Sequence, residues 1–319
     1  MKFDMTTFGE TMIRISVRPG SKFINTAEAD MHIGGAESNA AITLSRLGMK
    51  TAWVSRLTRN DLGRKIEGDI SRHGVDTSGV VWTDEDRIGL YFMEFAVPPR
   101  AIAALYDRKN SAASKLTPEK IDWKFLLNTR MLHLTGITPA LSPGCRRASI
   151  EAVKKAKAKK VPICFDVNYR AKLWGPKAAA RTIAPLLPDC TLAMMNAEEA
   201  ATVFGIKGEP EKVAVDVYER FRPKVAVITA GLKGAFAWDG KKLLHEPAYP
   251  NRGIIDRVGA GDAFAAGLIF GFLQGDLQMG LRYGIATSVM KLGLRGDVFW
   301  FTKEEVDEVI RTRGGDVNR

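Results

Sequence analysis

The chain has 319 residues, 45% of them hydrophobic and 26% charged, a make-up that points to one large globular domain and excludes a disordered or fibrous chain. No apolar run reaches the ~18 residues of a membrane span, and Met1-Lys2-Phe3-Asp4 does not open a signal peptide. The net charge of +11 suits acidic partners, either nucleic acid or small anions. The densest basic run, Lys154 to Lys160, falls at the end of a predicted helix, where lysines complement the dipole, so it reads as a solvated face. No zinc-finger, RNA-recognition or basic-zipper pattern is present, and no nucleic-acid partner is expected. Cys145, Cys164 and Cys190 lack metal spacing and are odd in number, which predicts reduced thiols in a cytoplasmic protein.

Taken in order, Met5 to Phe8 reads as a strand. Ser21 to Ile33 alternates weakly and reads as an exposed strand or excursion. Gly34-Gly35 then turns into a helix carrying Asn39 and ending at Gly48. This pattern is equally a tight turn with a capping Asn, or a close backbone approach to a ligand with Asn39 on its hydroxyl. Lys50 to Leu57 reads as a strand and Leu62 to His73 as a helix. Ile88 to Ala96 and Ala101 to Asp107 read as a hairpin around Pro98-Pro99. With Ser21 to Ile33 they form a small inserted sheet that would suit a lid.

From Met131 the rhythm is strand, helix, strand. Strands are predicted at Met131–Thr135, Pro162–Asp166, Leu192–Met195 and Val225–Thr229. Helices are predicted at Arg146–Lys159, Lys177–Leu187, Glu198–Phe204 and Val213–Phe221. Ala235 to Glu246 turns at Asp239-Gly240, and helices follow at Gly261–Leu273, Leu277–Leu292 and Lys303–Thr312. Strands alternating with helices imply an α/β fold with a mostly parallel sheet covered on both faces. Ligands of such sheets bind at the carboxyl ends of the strands.

Those ends carry chemistry. Phe165-Asp166-Val167-Asn168-Tyr169-Arg170 closes one strand, and the Arg170 fork matches a carboxylate or phosphate, with surface ion pairing as the plain alternative. Asn196-Ala197-Glu198-Glu199 closes the next. It fits a capping box, a site near hydrated Mg²⁺, or both. Thr229-Ala230-Gly231-Leu232-Lys233-Gly234 is a glycine turn that would pass under a nucleotide. Ile255 to Phe264 runs into Gly259-Ala260-Gly261-Asp262 at the start of an apolar helix. Unpaired N–H groups at that start make an anion site. Asp262 there is either a helix cap or a general base beside a phosphoryl group in transfer. A P-loop, a full dinucleotide fingerprint and a Gly-x-Ser-x-Gly elbow are all missing from the sequence.

Gly34-Gly35 with Asn39 and Ala41, followed by Asp256-x-x-Gly259-Ala260-Gly261-Asp262, resembles the paired signatures of the ribokinase-like (PfkB) sugar kinases over nearly the whole chain. Arg257 departs from it, standing where these kinases usually carry Thr. The resemblance implies a three-layer α/β/α core over residues 1–319, with a small β-sheet lid from roughly 14–33 and 86–110. It also implies ATP as co-substrate and Mg²⁺ near Asn196 and Glu199 through water. Gly89-Leu90-Tyr91, Tyr106-Asp107-Arg108, Asp166 to Arg170 and Arg295-Gly296-Asp297 resemble the substrate segments of 2-keto-3-deoxygluconate kinases.

By that likeness Gly34, Gly35, Asn39, Tyr91, Tyr106, Arg108, Arg170 and Asp297 would hold the sugar acid against Asp262. Asn196, Thr229, Gly231, Gly234, Gly259 and Gly261 would hold ATP, and the backbone of Gly259, Ala260 and Gly261 would form the anion hole. A homo-oligomer joined through the lid is expected. The alternatives are a kinase of fructose, ribose or 5-keto-2-deoxygluconate on the same fold, or a non-catalytic sugar-acid or nucleotide sensor.

Overall fold

A computed structural model describes residues 1–95, 101–250 and 253–313. The expected Pro98-Pro99 turn lies outside them. The chain opens with β1 (Phe3–Phe8), β2 (Met12–Ser16), β3 (Asp30–Gly34) and α1 (Ala36–Arg46). Next come β4 (Thr51–Val54), β5 (Arg56–Thr58), α2 (Asp61–Ser71), β6 (Val81–Thr83), β7 (Leu90–Glu94) and β8 (Ala103–Asp107). The alternating part follows as α3 (Trp123–Leu126), β9 (Thr129–Thr135), α4 (Thr138–Leu141), α5 (Pro143–Ala158), β10 (Ile163–Asp166) and α6 (Pro176–Ile183). It continues through β11 (Leu192–Asn196), α7 (Ala197–Phe204), α8 (Pro210–Phe221), β12 (Val225–Thr229), β13 (Ala235–Trp238) and β14 (Leu243–Glu246). Helices α9 (Ala260–Leu273), α10 (Leu277–Leu292) and α11 (Lys303–Thr312) close it.

Eight strands form the main sheet in the order β14-β13-β12-β11-β10-β9-β1-β4. Pairing is parallel from β4 to β12 and antiparallel through β13 and β14. One face buries Met5, Trp53 and Phe264 with α1, α9 and α10, and the other buries Phe8, Phe165 and Ile228 with α5, α7 and α8. The sheet is therefore sandwiched, and its parallel strands are apolar on both sides. The predicted Lys50–Leu57 strand divides at Ser55, whose hydroxyl donates to the Gly9 carbonyl at 2.7 Å. Thereafter β5 leaves the main sheet to pair with β6. The predicted helix through Leu187 ends at Ile183, and Leu187–Asp189 with Pro188 forms a 3₁₀ turn.

The second sheet, referred to below as the lid, has the order β3-β2-β7-β8, and its β2 begins before the expected 14–33 span. It feeds directly into Gly35 and α1, so the lid is covalently adjacent to that part of the cleft wall. Helix α9 is buried nearly all round, as its unbroken apolar sequence requires. It lies against α10 so closely that a Cβ on Gly271 would come within 2.1 Å of the Gly280 nitrogen. The Thr287 hydroxyl donates to the Ala263 carbonyl at 2.8 Å, which fixes the first turn of α9 and the acid it carries.

Candidate active site

At the carboxyl ends of β1, β10, β11 and β12 a cavity of about 350 Å³ opens between the main sheet and the lid. Its floor is the start of α9. Gly259 caps that helix in the left-handed region at φ 86°, and a Cβ there would lie 2.3 Å from the Asp297 carbonyl, so only glycine fits. Among the described residues no backbone acceptor takes the N–H of Gly259, Gly261 or Asp262. The N–H of Ala260 instead donates to the Arg257 carbonyl at 3.4 Å. Ala260 is also absent from the cavity wall, which carries Gly259, Gly261 and Asp262.

Asp262 is buried with its carboxylate facing this space. Oδ2 accepts from Asn39 Nδ2 at 2.8 Å and Oδ1 from Asn168 Nδ2 at 3.5 Å. Burial raises its pKa to about 6, while the Asn39 hydrogen bond and the Arg170 charge pull the other way. The group is thus ionised at neutral pH yet basic enough to take a proton. Asn39 reaches it from the first turn of α1, because Gly35 lets the chain pass where a Cβ would meet the Glu10 carbonyl at 2.3 Å. In the same turn Glu37 is wholly buried. Its Oε1 accepts from Thr135 and Thr138, Oε2 has no hydrogen-bond partner among the described residues, and burial pushes its pKa to about 7.

Beside Asp262 stand two further acids. Asp166 ends β10, and Asn168, held at φ 38°, folds back on it through its N–H at 3.1 Å and its Nδ2 at 3.0 Å. Burial, then the neighbouring Glu199 and Asp262 carboxylates, push Asp166 well up. The Asn196–Glu199 pair forms a capping box: Asn196 Oδ1 accepts the Glu199 N–H at 2.8 Å and Glu199 Oε2 accepts the Asn196 N–H at 2.9 Å. Glu199 Oε1 accepts the Tyr169 N–H at 2.7 Å. Among the described residues no three acids, cysteines or histidines could together hold a bare metal ion. The converging acids fit a hydrated Mg²⁺ held through its waters.

The lid supplies the facing wall. Tyr91 and Tyr106 stack at 5.7 Å between ring centroids, and the Tyr91 hydroxyl donates to Asp297 Oδ2 at 2.7 Å. Arg108 is committed to a buried carboxylate, donating from Nε to Glu10 Oε2 at 2.7 Å. Arg170 is exposed, bonds the Tyr169 carbonyl at 3.2 Å, and has no acidic partner among the described residues. Gly34, Thr229 and the exposed Arg257 complete the walls. Gly231 and Gly234 do not line the cavity. Gly231 is exposed beyond Thr229, and Gly234 is buried in its turn, where a Cβ would meet the Glu246 carbonyl at 2.1 Å. Glu10 is a wall residue that the sequence did not single out, and Asp166 and Asn168, on the wall as well, were named only as part of the Asp166 to Arg170 segment. Only the Asp166-x-Asn168 spacing at a strand end gave a local signal for them.

The mostly parallel main sheet, the smaller sheet facing it and the cavity between them are those of a ribokinase-type fold. The chain belongs to the pfkB family of carbohydrate kinases, whose pattern matches residues 2–300. It is 32% identical over 317 residues to the 2-dehydro-3-deoxygalactonokinase of Haloferax volcanii, covering 99% of this chain and 98% of that one. It is 32% identical over 302 residues to the 2-dehydro-3-deoxygluconokinase of Bacillus subtilis, covering 93% and 92%. The crystal structure of 2-dehydro-3-deoxygluconokinase from Thermotoga maritima superposes with a TM-score of 0.91 at 31% identity, covering 98% of this chain and 99% of that one. The protein is a carbohydrate kinase, and no helix among its described residues is long and apolar enough to cross a membrane.

Proposed function

We propose that this kinase transfers the γ-phosphoryl group of ATP to the 6-hydroxyl of 2-keto-3-deoxygluconate, also called 2-dehydro-3-deoxygluconate. The observation that carries the reading is a buried acid titrating near 6 between unpaired amides on one side and the uncommitted Arg170 on the other. Arg170 takes the substrate carboxylate. Asn39, Gly34, Gly35, Tyr91, Tyr106 and Asp297 line the sugar's bed, with Arg108 held against it by Glu10. The 6-hydroxyl oxygen attacks the γ-phosphorus as its proton passes to Asp262. The bond to the β-phosphate oxygen breaks and ADP leaves. The amides of Gly259 and Gly261 receive the charge spread over the transferring oxygens. Asn196 and Thr229 face the polyphosphate, and the Gly231 turn lies where the nucleoside would extend. Mg²⁺, when bound through water near Asn196 and Glu199, offsets phosphate charge. The lid excludes water from the reacting centre.

The galacto epimer is the second reading, supported by the match to the Haloferax protein. Free buried cysteines suit a cytoplasmic enzyme. The outer lid, with Met31 48% and Leu105 68% exposed, suits contact with a second copy, and light scattering should report a dimer. A monomer at micromolar concentration would remove that assignment.

ATP consumption should be measured with both epimers, fructose and ribose, and the phosphate located by NMR. Turnover confined to the keto-deoxy acids with phosphate on O6 is expected. Equal turnover of fructose or ribose would overturn the reading.

A further inference from the structure

A buried ionic cluster lies beneath the cleft; the reaction described above uses its Asp297 but not Arg14, Asp256 or Lys291. Arg14 sits in the middle of lid strand β2 with its side chain 0% exposed. Its Nη1 donates to Asp297 Oδ1 at 2.6 Å, and its Nη2 lies 2.6 Å from Asp256 Oδ2, off the N–H direction and so an ion pair rather than a hydrogen bond. Phe95 covers the guanidinium at 5.0 Å from ring centroid to carbon. Lys291, equally buried, donates to the Leu294 carbonyl at 3.2 Å and sits in the field of the same two acids.

Apolar side chains of similar volume often stabilise a fold as well as buried ion pairs do, so stability alone is a poor reason for this cluster. Its connections are more telling. Asp256 opens the phosphate turn: Oδ1 accepts the Val258 N–H at 3.0 Å and Oδ2 accepts the Gly296 N–H at 3.1 Å. Asp297 also holds the Tyr91 hydroxyl of β7, and its carbonyl lies against Gly259. Two lid strands, the phosphate turn and the 294–298 loop therefore meet around one guanidinium. A planar fork reaches two carboxylates at once, and an ammonium does so poorly.

We propose that Arg14 is a positioning residue that ties the lid sheet to the 256–261 phosphate turn, so that the turn's amides reach their working geometry only when the lid is seated on sugar. Without the tie, lid and turn move separately. Transfer to sugar slows, and water gains access to the γ-phosphoryl group of bound ATP. The inference rests on the carbohydrate-kinase reading and holds for whichever sugar is the substrate.

The test is Arg14→Lys, assayed with a sugar that wild type phosphorylates, so that wild-type turnover separates a wrong sugar from a wrong tie. The melting temperature should stay near that of wild type. The kcat should fall by about tenfold or more while KM for ATP stays within about threefold, since positioning rather than binding is lost. ADP formed per sugar phosphate should rise above the one-to-one ratio of wild type. A folded variant with wild-type kcat and one-to-one stoichiometry overturns the proposal. Should lysine prevent folding, the uncharged pair Arg14→Met with Asp256→Asn carries the same expectations and the same overturning result. Hydrogen exchange of wild type gives an independent reading. Sugar alone should slow exchange in both β2 and 256–261, and slowing confined to the lid overturns the proposal.

Discussion

The two walls of the cleft are built on opposite plans. On the sheet wall, two of the acids are held by near neighbours in sequence: Asn168 holds Asp166 from two residues away, and Asn196 pairs with Glu199 from three, while Asp262 alone is held from afar, by Asn39 over 223 residues. On the lid wall, polar groups are held across great sequence distances. Arg108 meets Glu10 over 98 residues, Tyr91 meets Asp297 over 206, and Arg14 meets Asp297 over 283. The sheet wall gathers carboxylates whose pKa values burial has raised, whereas the lid and its approaches supply arginines and tyrosines. The difference teaches a division of labour. Buried carboxylates are gathered at strand ends and at the start of α9, and the lid is joined to the rest of the chain by tertiary contacts.

Removing the base should break the sheet wall most severely. Asp262→Asn should lower kcat by at least ~10²-fold with both substrates still binding, measured by steady-state rates and calorimetry, and a near-normal kcat would remove Asp262 from its role. The same change should raise the melting temperature at pH 8. The folded-state pKa of about 6 lies above the ~3.9 of an unfolded Asp, so the native state binds that proton more tightly. Its stabilising effect is full below ~4, fades as pH rises, and is lost above about 6. The gain in melting temperature should therefore shrink as pH falls toward 4.

Next in size, Arg170→Ala should raise KM for the sugar acid by ~10–100-fold, the loss of a charge-assisted contact. An unchanged KM would place the carboxylate elsewhere. Wild-type kcat/KM should then fall ~10-fold per pH unit below about 6, as Asp262 takes up its proton. A flat profile from pH 5 to 8 would separate the reaction from that carboxylate. Smallest is Glu37→Gln, a change within the sheet wall's support. With its pKa raised to about 7, Glu37 contributes stability that is full below the ~4.3 of an unfolded Glu, fades as pH rises and is lost above about 7. The variant should melt higher at pH 8, and the gain should shrink as pH falls toward 4. Equal melting temperatures at pH 8 would mean that Glu37 is not ionised there.

What the sequence made legible follows the same division. Helices α10 and α11 and strand β12 have the predicted bounds, because each has local periodicity or composition and a clear stop. The Asp262 turn was readable because two glycines, an acid and a helix are adjacent. The double reading of Asn196 and Glu199 is answered in part: the capping box is formed. Glu10 and Arg14 were not readable, since nothing within ten residues of either announces its partner. The break at Ser55 was hidden for a similar reason, being set by a hydroxyl bond to Gly9 rather than by propensity. Ala260 was placed among the anion donors by its position in the motif, but its N–H turns to the Arg257 carbonyl.

The most direct measurement is the ratio of kcat/KM for 2-keto-3-deoxygluconate to that for fructose, in wild type and in Arg170→Met. A ratio of ~10² or more in wild type, collapsing in the variant through loss on the acid alone, is the predicted result. A wild-type ratio near one, or one that Arg170→Met leaves intact, would contradict a cleft built for a sugar acid.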